Sequence, residues 1–208
     1  MSHALKHFFE EIACGKAPGP SPTFSVLHLI LAIDLIAEKT IGRNKLAGNL
    51  GIGGGAVRTI IERLKNAGLI EISKGGCSLT ARGLKMWEDF RSVFKKVEVG
   101  KNELVSGKYN FAVLVRDCGA KVKSGMEQRD AAIMSGARSA TTMVMRRGRL
   151  IIPSVSNDVA KDFPEAARQV TRLLGTKEND VVVIGSADSP LKARDGTFAA
   201  AWALLNNC

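Results

Sequence analysis

Two glycines and an alanine raise the first chemical question. In LGIGGGAVRTII, residues 50–61, Gly51, Gly53 and Ala56 stand at the G-x-G-x-x-A spacing of loops that cradle a dinucleotide pyrophosphate. Such a loop must leave a buried strand, so that amides at the start of the next helix meet the phosphate. The preceding IGRNKLAGNL instead places Leu46, Ala47 and Leu50 at helical spacing. The following AVRTIIERLKNAGL places Val57, Ile60, Ile61 and Leu64 at i, i+3, i+4 and i+7, with Arg58, Thr59, Arg63 and Lys65 off that stripe. Helix, glycine turn, helix is the helix-turn-helix layout, in which the glycines bend the chain. Because Gly53, Gly54 and Gly55 lack Cβ atoms, the second helix can still bring its first amides close to a phosphate, and that phosphate then belongs to a polymer.

The basic side chains around this turn supply the chemistry of nucleic-acid contact. Arg58 and Thr59, in the first two turns of the second helix, are the expected base readers: Arg forks onto guanine, and Thr offers a methyl or a hydroxyl. Arg43, Lys45, Arg63 and Lys74 are expected to hold phosphates, with Gly54, Gly55 and Gly75 allowing close backbone approach. The alternative is that some are ordinary solvated charges, and Glu62 beside Arg63 moderates the positive face.

The elements that would position these groups follow in order. A near-continuous apolar run, FSVLHLILAIDLIA, predicts a buried helix at about 23–39. After the second helix of the turn, LIEISKGGCSLT reads as a hairpin with Lys74, Gly75 and Gly76 at its tip, the wing of a winged helix. Thr80 then caps a helix through ARGLKMWEDFRSVF, with Leu84, Trp87, Phe90 and Phe94 on one face. Upstream, Leu5, Phe8, Phe9 and Ile12 mark a short amphipathic helix that either packs on its own domain or meets a second copy, and GKAPGPSP, 15–22, is the one obvious linker.

The stretches GGGAVRTIIERLKNAGLIEISKGG and LTARG resemble archaeal and bacterial winged-helix transcriptional regulators, in which a V-R-x5-L-x3-G-L-I run is usual; the resemblance covers roughly residues 23–95. Together with the short N-terminal helix and the change of pattern near residue 97, it implies a winged-helix DNA-binding domain over 1–96.

From residue 97 the periodicity changes to β-α-β-β-α-β plus one helix, from NFAVLVRD (110–117) through DVVVIG to FAAAWALL, and this order predicts a ferredoxin-like α/β domain over 97–208. The fold class expected is thus α+β. EQRDAAIMSGARSATTMVMRRGRLIIP and VVVIGSADSPLKARDGTFAAAWALL are similar to the second domain of an archaeal family of predicted regulators, a domain without an assigned function, so the resemblance carries over no catalytic residue. The predicted order gathers Arg116, Lys121, Lys123, Arg146, Arg147 and Arg149 into one basic rim. At the opposite edge, PSVSND and GSADSP present Ser154, Ser156, Ser186, Asp188 and Ser189, suited either to the carboxylate or phosphate of a small effector or to plain helix capping. Arg116 and Arg129 are further ligand candidates, and Arg129 equally suits a solvated helix face.

The whole chain of 208 residues carries a net charge of +10, and residues 43–85 hold eight basic against two acidic side chains, a balance that favours double-stranded DNA as partner. The longest apolar run is interrupted by His28 and Asp34 and is too short to span a bilayer, and no secretory signal opens the sequence, so a cytoplasmic protein without a membrane partner is expected. Cys14, Cys77, Cys118 and Cys208 stand far apart with no C-x-x-C pair, which predicts reduced thiols and no metal site. All three histidines precede residue 29, so a hydrolytic triad in the second half is not expected, and no cofactor is implied beyond a small-molecule effector. The reading is a homodimeric DNA-binding transcriptional regulator whose second domain dimerises, senses a ligand, or both. Its rivals are an enzyme of nucleotide or cofactor metabolism under winged-helix control, and a winged-helix module that contacts protein.

Overall fold

The computed structural model describes residues 2–14 and 23–205; the linker at 15–22 and Cys208 lie outside the described residues. The chain divides into two compact units, Met1–Arg91 and Ser92–Cys208.

The first unit opens with helix α1 (Ser2–Cys14), which buries Phe9 edge-on against Phe8 and Phe90, so this apolar face is covered within its own unit. Helix α2 (Val26–Glu38) is the buried run read from the sequence, and seven of its residues, including Leu29, Ile30 and Ile33, are core. Its Asp34 is satisfied by the Trp87 indole, whose Nε1 donates at 3.2 Å. Helices α3 (Arg43–Leu50) and α4 (Gly54–Asn66) follow, then a hairpin of strands β1 (Ile70–Ser73) and β2 (Gly76–Leu79). The hairpin gains a further bridge, because Ile41 and Cys77 exchange backbone hydrogen bonds at 3.1 and 2.9 Å. Of the tip glycines only Gly76 has positive φ (128°), and a Cβ there would lie 2.6 Å from the Ile41 carbonyl oxygen, so glycine is required by that bridge. Helix α5 (Ala81–Val93) starts where the Thr80 hydroxyl accepts from Gly83 N at 3.0 Å.

The second unit is one antiparallel sheet with helices on both faces. Its strands are β3 (Phe94–Glu98), β4 (Tyr109–Val115), β5 (Ser139–Arg146), β6 (Arg149–Ile151) and β7 (Val181–Ala187), in spatial order β3-β4-β7-β5-β6. Helix α6 (Met126–Met134) links β4 to β5, α7 (Val159–Asp162) and α8 (Pro164–Leu174) link β6 to β7, and α9 (Pro190–Leu204) ends the unit. Ala112, Leu114, Met143, Val182 and Ile184 meet Val170 and Leu174 of α8 on one face of the sheet. On the other face α9 lies so close to β7 that a Cβ on Gly185 would fall 2.2 Å from the Thr197 hydroxyl. Phe94, Phe198 and Trp202 stack beside it, at 5.7 Å between the first two rings and 6.5 Å between the last two.

Four expectations are corrected. The sheet order is not ferredoxin-like. That arrangement places the hairpin's second strand beside the first strand of the unit and the last strand at an edge, whereas here β7 fills the centre between β4 and β5 and β6 takes the edge. The reason is burial: every residue of β7 is buried, which only a central strand covered on both faces allows, while three-residue β6 exposes Arg149. Second, Phe94, which the Phe90 stripe assigns to the end of the preceding helix, instead opens β3, the first strand of the second unit, and pairs with Val115. Third, the second helix of the predicted β-α-β-β-α-β order is two, broken before Pro164, whose ring cannot continue a helix interior but suits a first turn. Fourth, Cys118 is held in a disulfide, while Cys14 and Cys77 are free thiols. Spacing along the chain could not reveal a pairing made by the fold.

Candidate nucleic-acid interface

The glycine turn works as a helix stop and a helix start. Gly51 takes the left-handed conformation (φ 71°) that ends α3, its N–H donating to the Ala47 carbonyl at 2.9 Å. Gly53 is extended and begins α4 without any side-chain cap, so the first amides of α4 point outward with no side-chain acceptor at the cap. A helix, not a strand, enters the bend, and the dinucleotide loop is thereby absent. Gly54 and Gly55 have ordinary helical backbones, and a Cβ on either would meet nothing within 4 Å. Nothing inside the unit therefore requires glycine at these two positions.

Helix α4 buries Val57, Ile60, Ile61 and Leu64 and turns Gly54, Gly55, Arg58, Glu62 and Lys65 outward. Arg58 and Glu62 form one wall of a cleft of about 700 Å³, with Arg43, Asn44 and Lys45 of α3 on a second wall and Ile72, Gly75 and Gly76 of the hairpin on a third. Arg43, Lys45, Arg58 and Gly75, named from the sequence as one set, are thus brought to one concave surface. Lys74 is exposed beside Gly75 at the hairpin turn. Thr40, Asn44 and half-exposed Ile72 also line the cleft and were not singled out; no charge or spacing marked them, since they are placed by the hairpin folding back towards α3. At the cleft's floor, burial pushes the Cys77 thiol up from its ordinary pKa, which keeps it a neutral, unreactive wall.

Two members of the set are placed elsewhere. Thr59 is half-buried, and its hydroxyl donates back to the Gly55 carbonyl at 3.3 Å, one turn earlier on the helix. Arg63 lies on the far side of α4, where its guanidinium donates to the carbonyls of Ile12 (3.2 Å) and Ala13 and stacks 5.1 Å from the Phe24 ring. It closes the C-terminal end of α1, whose last carbonyls lack helical partners. The assignment of Arg63 to a phosphate is corrected on this ground: its Nη1 is engaged by carbonyls inside the unit, and the residue does not line the cleft.

In the second unit the residues named for a small ligand are dispersed. Ser186 is fully buried, 2.7 Å from the Ser139 hydroxyl, and accepts from Ser106 N and Gly107 N. Ser156 donates to Asp162 at 2.7 Å and accepts from Asp158 N, so it fastens the turn into α7. Ser154 is exposed in a left-handed conformation (φ 63°), Ser189 precedes α9 without a side-chain cap bond, and Asp188 pairs at the surface with Arg138 at 3.4 Å. Arg129 is exposed on α6. Arg116 sits at the opposite end of β7, since Val115 pairs with Val181 while Ser186 lies five residues further along, roughly 17 Å at strand rise. Its guanidinium is committed to buried Asp180 at 2.5 Å and to the Gly175 carbonyl at 3.1 Å. Removing it would strand a buried carboxylate, so Arg116 is a fold residue and not a free ligand contact. The capping alternative describes this edge better: the Asp158 carboxylate caps α7 through Ala160 N and Lys161 N, and the Glu103 carboxylate holds Glu165 N and Ala166 N at the start of α8.

Among the described residues no cluster of His, Cys, Asp or Glu could hold a metal ion, and no helix is long and apolar enough to cross a membrane.

The comparisons with known proteins divide the chain as the fold does. Residues 24–94 match the family model described as the CggR N-terminal DNA binding domain, and residues 105–204 match a domain of unknown function, DUF4443. A solved structure of a hypothetical protein from Pyrococcus horikoshii OT3 is similar over 88% of this chain and 94% of that one, at 26% identity and a TM-score of 0.73. No curated protein matches. The match over 24–94 spans both glycine-turn helices, the hairpin and the whole cleft; the N-terminal unit is therefore similar to a DNA-binding domain, and DNA is the partner that this similarity supports.

Proposed function

We propose that this protein is a sequence-specific transcriptional regulator that binds duplex DNA through a winged-helix unit. One observation carries the reading: Arg43, Lys45, Arg58 and Gly75 line a single cleft beside the uncapped start of α4, within the segment similar to a DNA-binding domain. In this reading α4 enters the major groove, Arg58 reads a base edge, the amides of Gly54 and Gly55 approach a phosphate, and Lys74 at the wing tip meets the flanking backbone. The Thr59 hydroxyl can donate to a base edge only after releasing the Gly55 carbonyl. The protein acts as a homodimer on two half-sites, which makes the second contact intramolecular. The C-terminal unit, which carries no catalytic constellation in this reading, mediates dimerisation or effector control. An effector regulates only if it prefers one arrangement of the recognition helices.

The test is a salt titration of the full chain on duplexes selected from fragments of the source genome. The affinity should fall steeply with salt, and Lys45→Ala should weaken all sequences alike while reducing the log–log slope by about one. Arg58→Ala should cost ~1–3 kcal/mol on the preferred duplex and much less on others. A flat salt dependence, or the same loss from Arg58→Ala on every duplex, contradicts the reading.

A further inference from the structure

The β5–β6 hairpin concentrates three arginines, of which one, Arg146, also braces the fold. Arg147 and Gly148 form its two-residue turn, both with positive φ (51° and 72°), and the register sets Arg146 directly opposite Arg149. Directly opposed residues share one face of a hairpin with Cβ atoms about 5 Å apart, and like charges there repel. Arg147, Arg146 and Arg149 are all exposed, and none of them makes an ion pair among the described residues. The opposed Arg146 and Arg149 therefore cost stability, and only Arg147 gains an offset, from the Glu178 charge beside the turn.

The three arginines, with Ile151 and Asn157, line a cleft of about 520 Å³ that contains no carboxylate. Arg146 is held in place, because its Nη2 donates to the carbonyls of Gly119 (2.9 Å) and Val122 (3.3 Å), leaving the rest of the fork unassigned. A fixed guanidinium opposite a second one is the geometry that grips a phosphate through paired N–H donors, and the volume suits a metabolite. Glu178 takes up the turn amides of Arg147 and Gly148 at 2.8 and 3.1 Å, outside the cleft lining. Its negative charge beside the turn weighs more against a long polyanion running past the tip than against a compact anion held between Arg146 and Arg149.

We propose that this cleft binds a phosphate-bearing small molecule through Arg146, Arg147 and Arg149. The site gives the effector reading above a location and a ligand class; its regulatory meaning rests on that reading, whereas binding does not depend on whether the N-terminal unit contacts DNA.

Inorganic pyrophosphate is the probe, titrated calorimetrically into the full chain at moderate salt. Saturable one-site binding is expected. The double variant Arg147→Asn, Arg149→Gln should weaken it by about tenfold or more, Asn being tolerant of the left-handed turn position. Arg149→Lys, which keeps the charge and loses the fork, should fall between. Arg172→Gln, an exposed arginine on α8 outside the cleft, and Arg58→Ala should leave it unchanged. Absent saturation, or equal binding by the double variant, overturns the proposal. So does loss of pyrophosphate binding in Arg58→Ala, which would place the anion on the N-terminal unit. If the double variant instead loses duplex affinity while wild type never saturates with pyrophosphate, the arginines serve a nucleic-acid backbone and the small-molecule site is refuted.

Discussion

Arg63, on the helix proposed to read DNA, donates its guanidinium to the Ala13 carbonyl at the end of α1. The same side chain lies over the Phe24 ring, so one residue ties α1, the start of α2 and α4 together. Arg63→Ala should lower stability by about 1–2 kcal/mol, through lost charge-assisted hydrogen bonds to helix-end carbonyls, while the salt slope of DNA binding stays as in wild type. Thermal melting and the salt titration check this together. A slope reduced by about one, with unchanged melting, would return Arg63 to the set of phosphate contacts.

Gly54 and Gly55 open α4 where added Cβ atoms meet nothing. Replacing both with Ala should therefore stabilise the chain, by roughly 0.5–1 kcal/mol per position, because Ala loses less backbone freedom on folding. Duplex affinity should nevertheless fall about tenfold, since the methyl groups stand between the helix amides and a closely approaching phosphate. Raised melting with undiminished affinity would show that no phosphate comes that near.

Glu178 is held ionised by the turn it braces. The backbone N–H groups of Arg147 and Gly148 lower its pKa against the opposing effect of desolvation, and the Arg147 charge adds a lesser lowering. A carboxylate whose folded pKa is depressed contributes stability that is complete above its unfolded pKa and is lost as pH falls through the folded one. The hairpin turn should thus loosen at a pH below the ordinary glutamate midpoint. A carbon-detected NMR titration should place the Glu178 midpoint below about 4.3, the unperturbed value for glutamate, and Glu178→Gln should remove the acid-dependent change at Arg147 and Gly148. An ordinary midpoint would mean that the turn amides are not bonded in solution.

Where local periodicity and turn chemistry act within a few residues, the amino-acid order alone determined the result. The Val57, Ile60, Ile61, Leu64 stripe specifies α4, Gly51 and Gly53 stop one helix and start the next, and the alternation around Lys74 and Gly75 specifies the hairpin. The cleft residues Arg43, Lys45, Arg58 and Gly75 were legible because the order of these elements leaves few ways to fold them together. Tertiary structure decided the rest, since it depends on contacts between residues distant in sequence. Nothing near Arg63 reveals the carbonyls of α1 fifty positions earlier. Nothing near β7 says that it lies between β4 and β5, a placement made favourable by burying both faces of an apolar strand at once. Ser186 and Arg116 look available as ligands until the fold surrounds the first with hydrogen-bond partners and sets the second against Asp180. Charge marks which residues are able to bind; only packing determines which of them remain unoccupied.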